Sequence, residues 1–178
     1  MSEDRFSGGP VSADRGRAAP AIYAGLLSLV VLGLSGAVGL ALMQPWLFPS
    51  LGPTVMLFFQ SPGQPASRPL NAAVGHLIGI AVGIACFAAF GLAGQPPAPV
   101  GGLTAGYVAA GALSVALTTA ILSLLKLPHP PAGATTLIVS LGILTAPAEL
   151  LSMAAAVLLV TAAGWALNRV LLGRRIRD

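Results

Sequence analysis

The sequence predicts an all-α membrane protein: four full transmembrane helices plus two proline-broken discontinuous segments, forming a three-plus-three pseudo-repeat with inverted halves. Three observations carry this. The 178 residues are 56% hydrophobic and only 8% charged, with mean hydropathy +0.88; a soluble domain averages about 25% charged. Four apolar stretches of about 23 residues each make about 34 Å of helix, enough for roughly 30 Å of hydrocarbon. A rigid knot of proline, glycine and threonine occurs twice between them.

Residues 1–20 are polar, with charges of both signs, and read as a disordered cytoplasmic tail. The apolar run that follows is longer than the roughly 7–15 residues of a signal peptide, so no cleavage is expected. Ala21–Met43 is the first span. After it comes PWLFPSLGPTVMLFF, where proline fixes φ and biases the preceding residue away from helix. Pro45–Leu51 should therefore be extended, and a helix should start near Gly52. The second span, Asn71–Ala93, carries Gly75, Gly79 and Gly83, a stripe that lets a neighbouring backbone come close. His76 begins that stripe and fits equally an interior position or the headgroup level. The third span is Gly102–Leu125. The second knot, LPHPPAGATT, makes Leu127–Ala132 extended and starts a helix near Gly133. Leu150–Leu172 is the fourth span, with Arg169 near its end, where it can snorkel. Residues 174–178 form a basic cytoplasmic end.

A shift of 81 residues places Pro130 on Pro49, Gly133 on Gly52, Thr135 on Thr54 and Gly164 on Gly83. The identities are few, but the order of features repeats. Residues 21–100 thus read as a first membrane repeat and 101–173 as a second, a common transporter plan. The first broken segment, about 22 Å of extended chain and 13 Å of helix, is long enough to cross, and Leu127–Ala132 with Gly133–Leu144 gives a similar length. Crossing makes six passes and inverted halves, with Arg68 and Lys126 inside beside both termini and Glu149 outside, as the positive-inside rule prefers; turning back makes four spans and parallel halves.

The two knots are the candidate binding site. Unwound backbone at membrane depth is tolerated where it lines a polar cavity or is buried in protein, and a helix start favours anions. The candidate substrate-binding residues are Gly52, Pro53, Thr54, His129, Pro130, Pro131, Gly133, Thr135 and Thr136. His76, His129 and Glu149 are candidates for proton coupling or pore lining. The plain alternatives are extramembrane loops rich in turn formers, a His129 that only bonds backbone, and a solvated Glu149.

No cofactor and no metal are expected, since two histidines need ligands from another subunit to hold an ion. The lone Cys86 excludes an intrachain disulfide. The basic ends (net charge +4) suit a membrane surface rather than nucleic acid. An enzyme is not expected, because no HExxH, intramembrane carboxylate pair or nucleophile–base set is present.

The strings His129-Pro130-Pro131 followed by Ala-Gly-Ala-Thr, and Arg68-Pro69-Leu70-Asn71 leading to Gly75-His76, resemble the HPP family of integral membrane proteins over about residues 20–172. The resemblance implies that family's fold, and nitrite as substrate, since some members are linked to nitrite transport. It fits a transporter or channel for a small inorganic anion, in the bacterial inner membrane with both termini cytoplasmic, working as a homo-oligomer in the lipid bilayer. The competing reading is a non-transporting scaffold or assembly protein.

Overall fold

The computed structural model describes residues 11–171 and 173. The basic end at 174–178 and residues 1–10 of the tail lie outside them. All regular structure among the described residues is helical: α1 (Val11–Leu42), α2 (Leu51–Gln60), a 3-10 turn (Pro65–Ser67), α3 (Pro69–Ala89), a short α4 (Ala98–Gly101), α5 (Ala105–Leu124), α6 (Ala132–Ser140) and α7 (Pro147–Leu171). Four of these, taken as Ala18–Leu42, Pro69–Ala89, Ala105–Leu124 and Pro147–Leu171, are long and apolar enough to cross a membrane.

Several boundaries differ from the sequence expectation: the third span starts at Ala105 rather than Gly102, the fourth at Pro147 rather than Leu150, and Leu127–Ala132, expected to be extended, ends in a turn at Pro130 and Pro131 with Ala132 already helical. Residues 11–20, expected to be disordered, continue α1 as helix, with Pro20 inside it. The second span ends at Ala89 rather than Ala93. Its helix is closed by Gly91 at φ +64, a left-handed residue that glycine adopts without Cβ strain. There Gly91 N–H donates to the Ala88 carbonyl and Leu92 N–H to that of Phe87.

Both proline-broken pieces run back along the helix before them. The chain after α1 folds over that helix's end: Gln44 N–H donates to the Gly39 carbonyl at 2.9 Å, and the Ser35 hydroxyl donates to Trp46 O at 2.7 Å. It stays extended to Phe48 and then forms α2. The far end of α2 meets Tyr23, near the start of the apolar part of α1, and the end of α7. Asn168 donates to Phe58 O at 2.7 Å and accepts from the Tyr23 hydroxyl at 3.0 Å. In the second half, α6 antiparallels α5, with Thr118 beside Thr136 and Ser114 beside Ser140, each pair at 3.0 Å. It ends where Ala98 N–H donates to Leu141 O at 3.0 Å.

These contacts sort the helix ends and connections onto two faces. Tyr23, the 61–68 connection, Pro128 and Asn168 share one face, joined by Asn71 Nδ2 donating to Pro65 O at 2.9 Å and Pro128 O at 3.4 Å. The α3–α5 connection and the start of α7 share the other, where the Ser152 hydroxyl donates to Gln44 Oε1 at 3.3 Å.

Lipid is as apolar as leucine, so helix association here rests on close packing and hydrogen bonds rather than on hydrophobic burial. The packing centre is α2 between α1 and α7: Leu51, Val55 and Phe58 fill the space beside Val31, Met153, Val157 and Val160. α6 packs against α3 and α5.

Candidate functional site

The α3 glycine stripe lets α6 and the His-Pro-Pro turn approach. A Cβ on Gly79 would stand 2.8 Å from Ala132 O and 2.8 Å from Thr136 Oγ1; one on Gly83 would stand 2.8 Å from Val139 Cβ. Gly75 faces His129, whose Cβ would lie 3.0 Å from an added methyl. The stripe is thus a packing surface, and what it packs is the knot itself. His76 follows Gly75 and is therefore carried inward, between α2 and α6. It is 0% exposed, so its ring faces the interior of the bundle.

Four side chains meet there: Thr54 from α2, His76 from α3, His129 from the turn and Thr135 from the first turn of α6. All are at most 1% exposed. His76 Nε2 lies 2.9 Å from Thr54 Oγ1 and 3.2 Å from His129 Nε2. His76 Nδ1 lies 2.6 Å from Thr135 Oγ1, and His129 Nε2 lies 3.4 Å from Thr54 Oγ1. His129 Nδ1 lies 2.8 Å from Ala66 O.

These distances define where the hydrogens are. A carbonyl only accepts, so His129 Nδ1 donates to Ala66, and in the neutral ring Nε2 carries a lone pair. The nitrogen contact then requires His76 Nε2 to donate, which leaves His76 Nδ1 to accept from the Thr135 hydroxyl. Thr54 donates to Ser50 O at 2.9 Å and accepts from His76. Two neutral imidazoles and two hydroxyls so satisfy one another without a charge. The Ser50 hydroxyl, one turn before Thr54, is buried without a partner.

The remaining candidate residues distribute unevenly. Thr136 is buried but faces α5, donating to Ala132 O and sharing a hydrogen with Thr118, both at 3.0 Å. The helix start at α6 is not an open anion cradle: the N–H groups of Ala132, Gly133 and Ala134 donate to the carbonyls of His129, Pro130 and Pro131. Proline at both positions after His129 turns the chain tightly enough to supply those carbonyls. Pro131 is buried, whereas Pro53 and Pro130 are exposed. Gly52 is half-buried with nothing within 4 Å of an added Cβ. Glu149 lies apart from the histidines. Its carboxylate accepts from Thr145 and Ala146 N–H, both at 3.2 Å, and caps the start of α7.

Sequence reading gave no role to Asn71, Ala66 and Ser50, which orient the cluster. Asn71 could be found, as a polar side chain in the first turn of an otherwise apolar span; a backbone carbonyl has no sequence signal. Thr118, Thr119 and Ser123 were also missed. They line a cavity of about 280 Å³ between α5 and the turn, which His129 and Gly133 border.

The helices and the buried polar cluster define an integral membrane protein with a polar site inside its bundle. The chain belongs to the HPP family: the family's model of the HPP transmembrane region matches residues 13–177. Comparison with curated proteins and with solved structures gave no match.

Proposed function

We propose that this protein transports a small inorganic anion across the membrane by way of the His76–His129 cluster. One observation carries the reading: the polar interior holds two imidazoles and threonine hydroxyls, and among the described residues no carboxylate accompanies them. A cation pathway through lipid ordinarily uses buried Asp or Glu, because a charge in hydrocarbon needs a partner. Groups that can donate, with no fixed negative charge, suit an anion. Nitrite fits the size and acceptor chemistry, and the family likeness favours it.

In this reading the halves are inverted three-pass repeats that meet at the cluster, the first supplying Thr54 and His76 and the second His129 and Thr135. The face with Arg68, Lys126 and Arg169 is cytoplasmic, following the positive-inside preference, and the membrane is a bacterial inner membrane. The protein works as a homo-oligomer. Cysteines placed singly at positions 68, 126 and 149 in a Cys86→Ala background should label from opposite sides, 68 and 126 from the cytoplasm and 149 from outside. Labelling of 68 and 149 from one side would refute the inverted arrangement.

The transport test is reconstitution into liposomes with nitrite, nitrate, formate, bicarbonate and chloride offered in turn. Flux of at least one anion above protein-free liposomes is the expected result. A second reading, a non-transporting scaffold, draws on the closure of the hydrogen-bond network around the histidines. Absence of flux for every anion, in protein shown to be folded, would favour it.

A further inference from the structure

We propose that the His76–His129 pair is a proton-gated clamp, which binds the anion only together with one proton and makes transport an electroneutral one-to-one symport. This rests on the anion reading above and adds the coupling ion to it.

In the neutral cluster there is nothing for an anion to bind. Each hydrogen has a receiver: His129 Nδ1–H goes to Ala66 O, Thr54 to Ser50 O, Thr135 to His76 Nδ1, and His76 Nε2–H lies between Thr54 Oγ1 and His129 Nε2. One basic lone pair points into the cluster, on His129 Nε2. A proton added there makes His129 an imidazolium. Its Nε2–H then confronts the Nε2–H of His76 across 3.2 Å, where a hydrogen bond stood before. Two donors facing each other repel, so the contact must open, and both now point at the space between the rings. The ring planes cross at 67° with centroids 4.9 Å apart, so the rings part without unstacking. A planar anion with two acceptor oxygens on one head, nitrite or formate, can take one N–H from each ring. The proton brings one positive charge and the anion one negative. Both leave together, His129 Nε2 recovers its lone pair, and the original N–H···N contact re-forms.

The surroundings make the proton and anion interdependent. Facing the pair are Thr54 from α2, Thr135 from α6 and the Ala66 carbonyl from the 3-10 turn, none of which titrates in the physiological range. The charged side chains described in the bundle lie elsewhere: Arg68, Lys126 and Arg169 are exposed, and Glu149 caps α7 at the opposite face. An imidazolium alone would be an uncompensated charge inside the bundle, a costly state. An anion alone would meet a lone pair. Only the two together are neutral.

The experiment uses proteoliposomes with a luminal pH dye, an inward nitrite or formate gradient, and potassium with valinomycin to set the membrane potential. The expected result is luminal acidification of one proton per anion, above protein-free controls. The rate should be unaffected by the imposed potential and fall about tenfold per pH unit in the alkaline range, as for a site needing one proton. His129→Asn keeps a side-chain donor but has no lone pair of that basicity, so it should lose coupled flux and the pH slope. Because that variant disturbs a buried site, calorimetry of nitrite binding to the detergent-solubilised wild-type protein, in two buffers of different ionisation enthalpy, gives an independent count, expected to be one proton taken up per anion bound. Anion flux that carries current, or binding without proton uptake, overturns the clamp while leaving anion transport standing. If no anion moves or binds, the transport reading fails and the clamp falls with it.

Discussion

Replacing His76 by alanine should abolish anion flux, with a loss of about 100-fold or more, while the protein still inserts into the membrane. No other side chain contacts as many members of the cluster. Its ring touches Thr54, Thr135 and His129 at 2.9, 2.6 and 3.2 Å. The change leaves the Thr135 hydroxyl buried without its partner, at a cost of about 1–3 kcal/mol, leaves the His129 lone pair only the Thr54 hydroxyl at 3.4 Å, and opens a cavity between α2, α3 and α6. The variant should therefore also unfold more readily, in thermal scans of the detergent-solubilised protein. His76→Gln separates the two effects. It refills part of the volume and offers one amide donor, so stability should recover more than flux does. Wild-type flux from a folded His76→Ala protein would remove the cluster from the transport path.

Gly79→Leu should be the most damaging single change for the fold. Even its Cβ would come within 2.8 Å of the Ala132 carbonyl and of Thr136 Oγ1. One of those contacts is backbone, so the clash is relieved only by moving α6 off α3. Overpacking of this kind costs about 1–3 kcal/mol where neighbours can adjust and more where they cannot. Moving α6 also carries Thr135 and the turn bearing His129 away from His76, so flux should vanish even from protein that stays inserted. Gly52→Ala is the control, because an added Cβ there meets nothing within 4 Å. Retained stability and flux in Gly79→Leu, measured beside Gly52→Ala, would show that the α3–α6 contact is not what positions the cluster. The sequence repeat aligns Gly52 with Gly133, and both are candidate binding residues. In the fold Gly52 has open space beside it, and Gly133 reaches only Val115 Cγ1 at 4.0 Å, on the cavity side.

Much of the architecture is legible in the residues. Apolar runs of span length have few alternatives in lipid, so their approximate extents follow from composition, and the prolines at 45, 49, 128, 130 and 131 force the two breaks. Helix ends were less legible. The second span stops at Ala89 because Gly91 takes a left-handed conformation, although Phe90–Ala93 is apolar enough to continue.

The site was legible as a list of residue types and not as a place. Thr54, His129 and Thr135 stood out from their position in the knots, and His76 from the glycine stripe. Which of them meet depended on long-range contacts: residues 54, 76, 129 and 135 come from four separate elements. Pro53 and Glu149 have equally suggestive sequence neighbourhoods, yet one is exposed and the other caps a helix. The free amides expected at the start of α6 are taken up by the turn before it. By itself the sequence determined a membrane protein of four apolar helices with two polar breaks, because hydrocarbon leaves the backbone so few choices. Only the tertiary structure decided that the breaks meet across the α3 glycines and set two imidazoles 3.2 Å apart. Which hydrogen-bonding groups face one another depends on how helices pack, and packing is not a local property of the chain.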